Sequence, residues 1–263
     1  MSLESIKLEK FYDKLPVCAA WLGFRRSGKS LSCSLVIKYL VSRKAFKRMI
    51  FFVGNKFCNP ELCELVSRKF DKRMIFHKFS EALLNKIIQQ QADLREIDES
   101  NTCCIIFDDV YTAQGRYEQA MNRLTQSGRH YLISVFILCV SWSDIAPSAR
   151  RSLDFITLFS NITLDDTKFL TRSFLNRHLI EPARFALKNN ELYTGLCIET
   201  SPVQKLWLLR FSKRNSLGYK KINREKALHS DSKCLENEIS IKSPEVQEKN
   251  GREGLDEKNI VTI

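Results

Sequence analysis

A chain of 263 residues that is 44% hydrophobic can bury one full core and carry an appendage, so a single folded domain is expected. Nowhere do about 18 uncharged apolar residues follow one another, and "MSLESIKLEKFYDKLP" has no apolar run of signal-peptide type, so neither membrane spanning nor export is expected. The formal net charge of +12, from 42 Lys and Arg against 30 Asp and Glu, favours polyanionic partners such as nucleic acid.

In chain order, "PVCAAWL" (16–22) reads as a strand that stops at Gly23, and "LSCSLVIKYLVSRK" after Ser30 has apolar residues at helical spacing. "KRMIFFVG" (47–54) reads as a strand, "PELCELVSRKF" as a helix, "RMIFHKF" (73–79) as a strand, and "SEALLNKIIQQQADLREI" as a longer helix capped by Ser80. "TCCIIFDDV" (102–110) has the composition of a fully buried strand. A helix over about 116–127 leads into the strand "YLISVFILCV", and "DFITLFS" (154–160) adds another. After a helix near 165–177, "LYTGLCIET" and "KLWLLRF" form a hairpin or edge pair about a turn at Pro202.

Strands alternating with helices predict an α/β fold with a mostly parallel sheet covered on both faces and its ligand beyond the carboxyl ends of the strands. The folded domain spans 1–212. Residues 213–263, poor in apolar side chains, read as a polar, disordered or weakly ordered tail. Residues 212–263 hold 11 basic and 9 acidic residues, so most of the positive excess lies in the part that folds. The nine cysteines include no C-x-x-C pair and fall mostly in apolar runs, as reduced core thiols of an intracellular protein would. Cys58 and Cys63 lack the second pair that a zinc site needs.

Residues 23–30, "GFRRSGKS", fit G-x-x-x-x-G-K-[ST] between a strand and a helix, the context in which the motif cradles phosphates. The glycines let backbone N–H groups and the helix N-terminus face an anion. Gly23, Ser27, Gly28, Lys29, Ser30 and Leu31 are therefore the expected ATP contacts, with Lys29 reaching the β- and γ-phosphates and Ser30 ligating Mg²⁺. The strand "CCIIFDDV" delivers Asp108 to the Mg²⁺ shell and Asp109, directly after it, to the attacking water. The adjacent strand should bring Val140 and Ser141 close to the γ-phosphate. Arg129, some ten residues away at about 3.3 Å each, can reach only a nucleotide held by a neighbouring subunit.

Together "GFRRSGKS", "IIFDDV", "GRHYLISVFILCVSW" and "IAPSARRSLDFITLF" resemble the FtsK–HerA superfamily of P-loop ATPases over roughly residues 16–160. The likeness is to the genome-packaging branch of poxviruses, other large DNA viruses, virophages and Polinton/Maverick elements, and it lies above all in the arginine-histidine before the sensor strand. The resemblance implies an ATP-hydrolysing, homo-oligomeric ring that moves double-stranded DNA without reading its sequence, served by a capsid or portal-vertex protein. It implies Lys29 and Ser30 for nucleotide and magnesium, Asp108 for magnesium, Asp109 as the catalytic carboxylate, and an arginine finger at Arg129. Arg150 and Arg151 match the basic position after the proline.

Two departures stand out. The family usually has Gln at the end of the sensor strand, where this chain offers Ser141 if one counts back from Pro147 and Val140 if one counts forward from "ILC". Asp109 stands where most of the superfamily has Glu, as the viral branch accepts. A cellular or mobile-element translocase of the same superfamily, or a slow nucleotide-dependent switch or scaffold, is the alternative. His130 reads as packing beside Arg129, and Trp142 and Trp207 as core or edge packing.

Overall fold

The computed structural model describes residues 3–54, 59–110, 118–159, 167–168, 170, 175–189, 194–201 and 203–210, all within one unit, Met1–Ser216. The elements are α1 (Glu9–Asp13), β1 (Cys18–Leu22), α2 (Lys29–Ser42), β2 (Arg48–Val53), α3 (Pro60–Lys69), β3 (Ile75–Phe76), α4 (Glu81–Ile97) and β4 (Cys103–Asp108). They continue with α5 (Glu118–Ser127), β5 (Ile133–Cys139), α6 (Pro147–Arg151), β6 (Phe155–Phe159), α7 (Arg177–Asn189), β7 (Thr194–Glu199) and β8 (Lys205–Arg210).

One eight-stranded sheet runs β3-β2-β4-β5-β1-β6-β7-β8. The pairs from β3 to β6 are parallel, and β6–β7 and β7–β8 are antiparallel. Every residue of β1, β4, β5 and β6 is buried, as strands covered on both faces must be. Side chains alternate between two cores. Phe11 of α1, Val36 and Ile37 of α2 and Val66 of α3 pack with Trp21, Phe136 and Phe155 on one face. Leu84 and Ile88 of α4, Met121 and Leu124 of α5 and Leu187 of α7 pack with Ile105, Phe107 and Ile137 on the other. Because α2 leaves β1 toward one face and α5 leaves β4 toward the other, a crevice opens over the strand ends between them, where open α/β sheets bind ligands.

Ser80 caps α4 as expected, accepting from Leu83 N–H at 3.1 Å. The strand expected over 73–79 shortens to Ile75–Phe76 behind a 3₁₀ turn at Lys72–Met74, an edge too short to invite a partner strand. The other edge, β8, is covered by the N-terminal segment, where Ile6 N–H donates to Leu208 O at 2.9 Å. The helix expected near 165–177 is represented by helical residues 167, 168 and 170. The sequence reading missed α7, in which Ala183, Ala186 and Leu187 supply the apolar face and Pro182 sits inside the helix, where it reads as a break. Pro202 and the tail 213–263 lie outside the described residues. No helix among the described residues is long and apolar enough to cross a membrane.

Cys18, Cys33, Cys103, Cys104, Cys139 and Cys197 are buried and unbridged, and Cys63 is half-buried. Burial pushes the Cys18, Cys103 and Cys197 thiols up to about 12, which keeps them protonated and inert. Cys58 and Cys234 lie outside the described residues.

Candidate nucleotide site

Over the carboxyl ends of β1, β4 and β5 lies a cleft of about 910 Å³, lined by residues 24–31 of the loop and by Gly54, Asp109, Val110, Cys139, Val140 and Asp144. The loop leaves β1 at Gly23, whose N–H donates to Cys139 O at 3.3 Å, and enters α2 through Gly28. Gly28 has φ 104°, a left-handed conformation that only glycine adopts without strain, and its carbonyl accepts from Ser32 N–H at 2.9 Å. Trp21 Nε1 donates to Ser32 Oγ at 3.0 Å and so ties β1 to the first turn of α2.

Lys29 is 6% exposed, and its ammonium donates to Gly23 O at 2.5 Å and to Phe24 O at 3.4 Å. Two carbonyls of the loop thus hold the cation.

Asp108 ends β4, in register with Val53 on one side and Leu138 on the other, and is 2% exposed. Burial, reinforced by the neighbouring charge of Asp109, pushes its carboxyl up to about 6, while Asn59 and the Lys29 cation pull it down. Asp109 turns off the strand with φ 52°, and its N–H donates to Leu138 O at 3.0 Å. Asp and Asn take left-handed backbone more readily than longer side chains. That is a physical reason for Asp at this point.

Gly54, which sequence reading passed over as a strand end, makes that turn possible. A Cβ there would stand 2.5 Å from the carbonyl oxygen of Asp109. Gly54→Ala should therefore displace Asp109 and lower the rate constant of ATP hydrolysis about 10²-fold, with a much smaller change in nucleotide affinity. Steady-state kinetics beside equilibrium binding would check it.

Four buried polar atoms around the loop lack a hydrogen-bond partner: Ser27 Oγ, Asn59 Nδ2, Asp108 Oδ2 and Asp109 Oδ1. Orphaned oxygens of this kind suit a magnesium–phosphate group, because magnesium takes few protein carboxylates and relies on phosphate oxygens and water.

The profile of the poxvirus A32 protein family matches residues 17–180, more than half of the chain. The chain belongs to the poxvirus A32 protein family. The match agrees with the poxvirus-like resemblance read from the sequence and spans both the phosphate loop and the paired aspartates.

A comparison with curated proteins found no match. Among solved structures, the A32-family chain is similar to the DNA-packaging ATPase B204 of Sulfolobus turreted icosahedral virus, with TM-score 0.57 and 14% identity over 74% of this chain and 98% of that one. It is also similar to the genome packaging NTPase B204 of Sulfolobus turreted icosahedral virus 2 in complex with ATP-γS, with TM-score 0.53 and 16% identity over 74% and 98%. The cytoplasmic domain of the type VII secretion ATPase EccC of Thermomonospora curvata gives TM-score 0.53 and 11% identity over 77% of this chain and 24% of that one. At these identities the likeness is one of fold.

The structure brings together Gly23, Ser27, Gly28, Lys29, Ser30, Leu31, Asp108 and Asp109. Ser141 caps the turn that follows β5. Its hydroxyl accepts from Ser143 N–H at 3.3 Å, and its own N–H donates to Asp144 Oδ2 at 2.9 Å, a capping box around the 3₁₀ turn Trp142–Asp144. Val140 and Asp144 line the cleft instead.

Arg129 lies at the opposite, amino end of the strands, in the 3₁₀ turn Gly128–Tyr131 that precedes β5. Its guanidinium donates to Asp154 Oδ1 at 2.7 Å and to Ser152 O at 3.2 Å, and its side chain is half exposed. Asp154 is buried and accepts from Cys18 N–H, at the start of β1, at 2.8 Å. Arg129 and Arg151 share a second cleft there, of about 610 Å³. Arg150 stacks on buried Trp142 at 5.5 Å and donates to Ile145 O at 2.8 Å. Trp207 packs at the β8 edge, bonded to Glu199 at 3.1 Å, and His130 is exposed.

Proposed function

We propose that this A32-family protein is an ATP-hydrolysing motor, carried by residues 1–212, that drives double-stranded DNA into a viral or virus-like capsid as a homo-oligomeric ring. The observation that supports it most is the meeting of Lys29 and Asp109 in one cleft at the sheet's switch point, with buried Asp108 directly before Asp109, in a chain of this family. The fold shared with a protein whose name records DNA packaging, and the basic excess of the folded part, point the same way.

In the proposed reaction, Lys29 leaves the carbonyls of Gly23 and Phe24 and swings to the β- and γ-phosphates. Ser30 and Asp108 would hold magnesium, which would supply positive charge against the charge that develops on the phosphates. Asp109 orients the attacking water and accepts its proton at the buried Oδ1. The Ser141 capping box holds Asp144 at the cleft, so we assign Ser141 a positioning part in sensing the γ-phosphate.

Arg129 is assigned as a finger in trans. The seven residues of β5, at about 3.3 Å each, separate it by roughly 23 Å from the cleft end of its own strand. Arg129→Ala should bind ATP normally and hydrolyse it about 10³-fold more slowly or worse. Mixed with Lys29→Ala subunits under verified exchange, it should regain partial activity, because an intact loop then meets an intact arginine. No recovery above either parent would leave Arg129 as the partner of Asp154 alone.

ATP turnover with and without double-stranded DNA tests the function as a whole. A motor is stimulated by DNA. A nucleotide switch, the reading favoured by the lack of Gln at the end of β5, shows equal turnover in both conditions.

A further inference from the structure

Asn59 stands directly before Pro60 at the start of α3, the sequence pattern of an N-cap followed by proline at the first helical position. Its side chain makes no cap bond. The backbone there is left-handed, with φ 50°, and the amide engages other elements. Oδ1 lies 3.2 Å from Ser34 Oγ, and that hydroxyl donates at 2.6 Å to the carbonyl of Ser30, one turn earlier in α2. Asn59 is 9% exposed, and its Nδ2 is buried without a partner. The amide lies close enough to Asp108 to favour the ionised carboxylate, yet no hydrogen bond of normal geometry joins them, and Asp108 Oδ2 is likewise unpartnered.

A helix cap would use this amide on its own helix, and a packing residue would not leave a buried donor unbonded beside an unbonded carboxylate. The arrangement does suit a donor that a third element fixes beside a carboxylate only 2% exposed. Lys29, the nearby cation, is the group proposed to turn away toward phosphate, and the amide remains in place throughout.

We infer that Asn59 is a positioning residue of the magnesium–nucleotide site: Nδ2 donates toward the unpartnered Asp108 Oδ2, while the side chain packs against Ser34, whose hydroxyl is bonded to Ser30 O. This rests on the magnesium–ATP reading above and adds the start of α3 to a site whose cleft lies over β1, β4 and β5.

The test uses Asn59→Gly in the full chain, since glycine accepts the left-handed backbone and deletes only the amide. Binding of a fluorescent ATP analogue is titrated with Mg²⁺ and repeated in EDTA, and melting temperature is recorded beside it. The magnesium concentration for half-maximal gain in affinity should rise about tenfold or more, as when a group orienting a metal ligand is lost, while affinity in EDTA stays that of the wild type. Pro60→Ala disturbs the same helix start and spares the amide, so it should leave the magnesium midpoint unchanged even where it lowers the melting temperature. The inference is overturned if Asn59→Gly titrates magnesium like the wild type, if it weakens binding equally with and without magnesium, or if Pro60→Ala shifts the midpoint as far. If wild-type protein gains no affinity from magnesium at all, the parent reading fails and takes this inference with it.

Discussion

Asp109→Asn should lower ATP turnover by about 10²- to 10⁴-fold, the span of general-base contributions, and leave magnesium-dependent ATP binding intact. The substitution is clean for a geometric reason. Asp109 sits at φ 52°, which Asn tolerates as well as Asp does, so the turn off β4 and its bond to Leu138 O survive. What goes is the negative charge at Oδ1 and its capacity to take the proton of water. Single-turnover hydrolysis measured beside equilibrium nucleotide binding separates the two effects. Wild-type turnover in the variant would remove Asp109 from the chemistry.

Asp108→Asn should have two large effects of opposite sign. In ligand-free protein it should stabilise the fold. The carboxyl is raised from 3.8 to about 6 by burial and by Asp109, so between those values the native state binds more protons than the unfolded chain. Stability is thus lost as pH rises through the folded value, and above pH 7 the cost is complete, at about 3 kcal/mol for a shift of some two units. The neutral amide escapes that cost. The variant should melt several degrees higher than wild type at pH 7.5, with the advantage about half as large at pH 5. Added Mg–ATP should reverse the order, because the variant has lost a magnesium ligand. Equal melting temperatures across this pH range would show that Asp108 carries no such cost.

That opposition illustrates which parts of the molecule the sequence displays. The phosphate loop is legible because its backbone demands fix residue types: Gly28 must reach φ 104°, Lys29 must follow it, and flanking apolar periodicity shows the strand and the helix. The parallel core is legible from near-continuous apolar runs such as "CCIIF".

Long-range geometry is not legible in this way. Gly54 looks like any glycine at a strand end until the Asp109 carbonyl is found against it. Asn59 looks like an ordinary cap before proline. At the end of β5, counting from either side chooses different residues, and neither count shows that Ser141 caps a turn while Val140 and Asp144 line the cleft. The pairing of Arg129 with Asp154 joins positions 25 residues apart, and no local spacing announces it.

Translocation itself is the claim most open to a direct measurement. A triplex-forming oligonucleotide is annealed to one end of a linear DNA duplex, and its release is followed after the protein is added at a distance from it. Release is expected with ATP, none with a slowly hydrolysed analogue, and none from Lys29→Ala. Hydrolysis of ATP by DNA-bound protein without displacement of the third strand would contradict it.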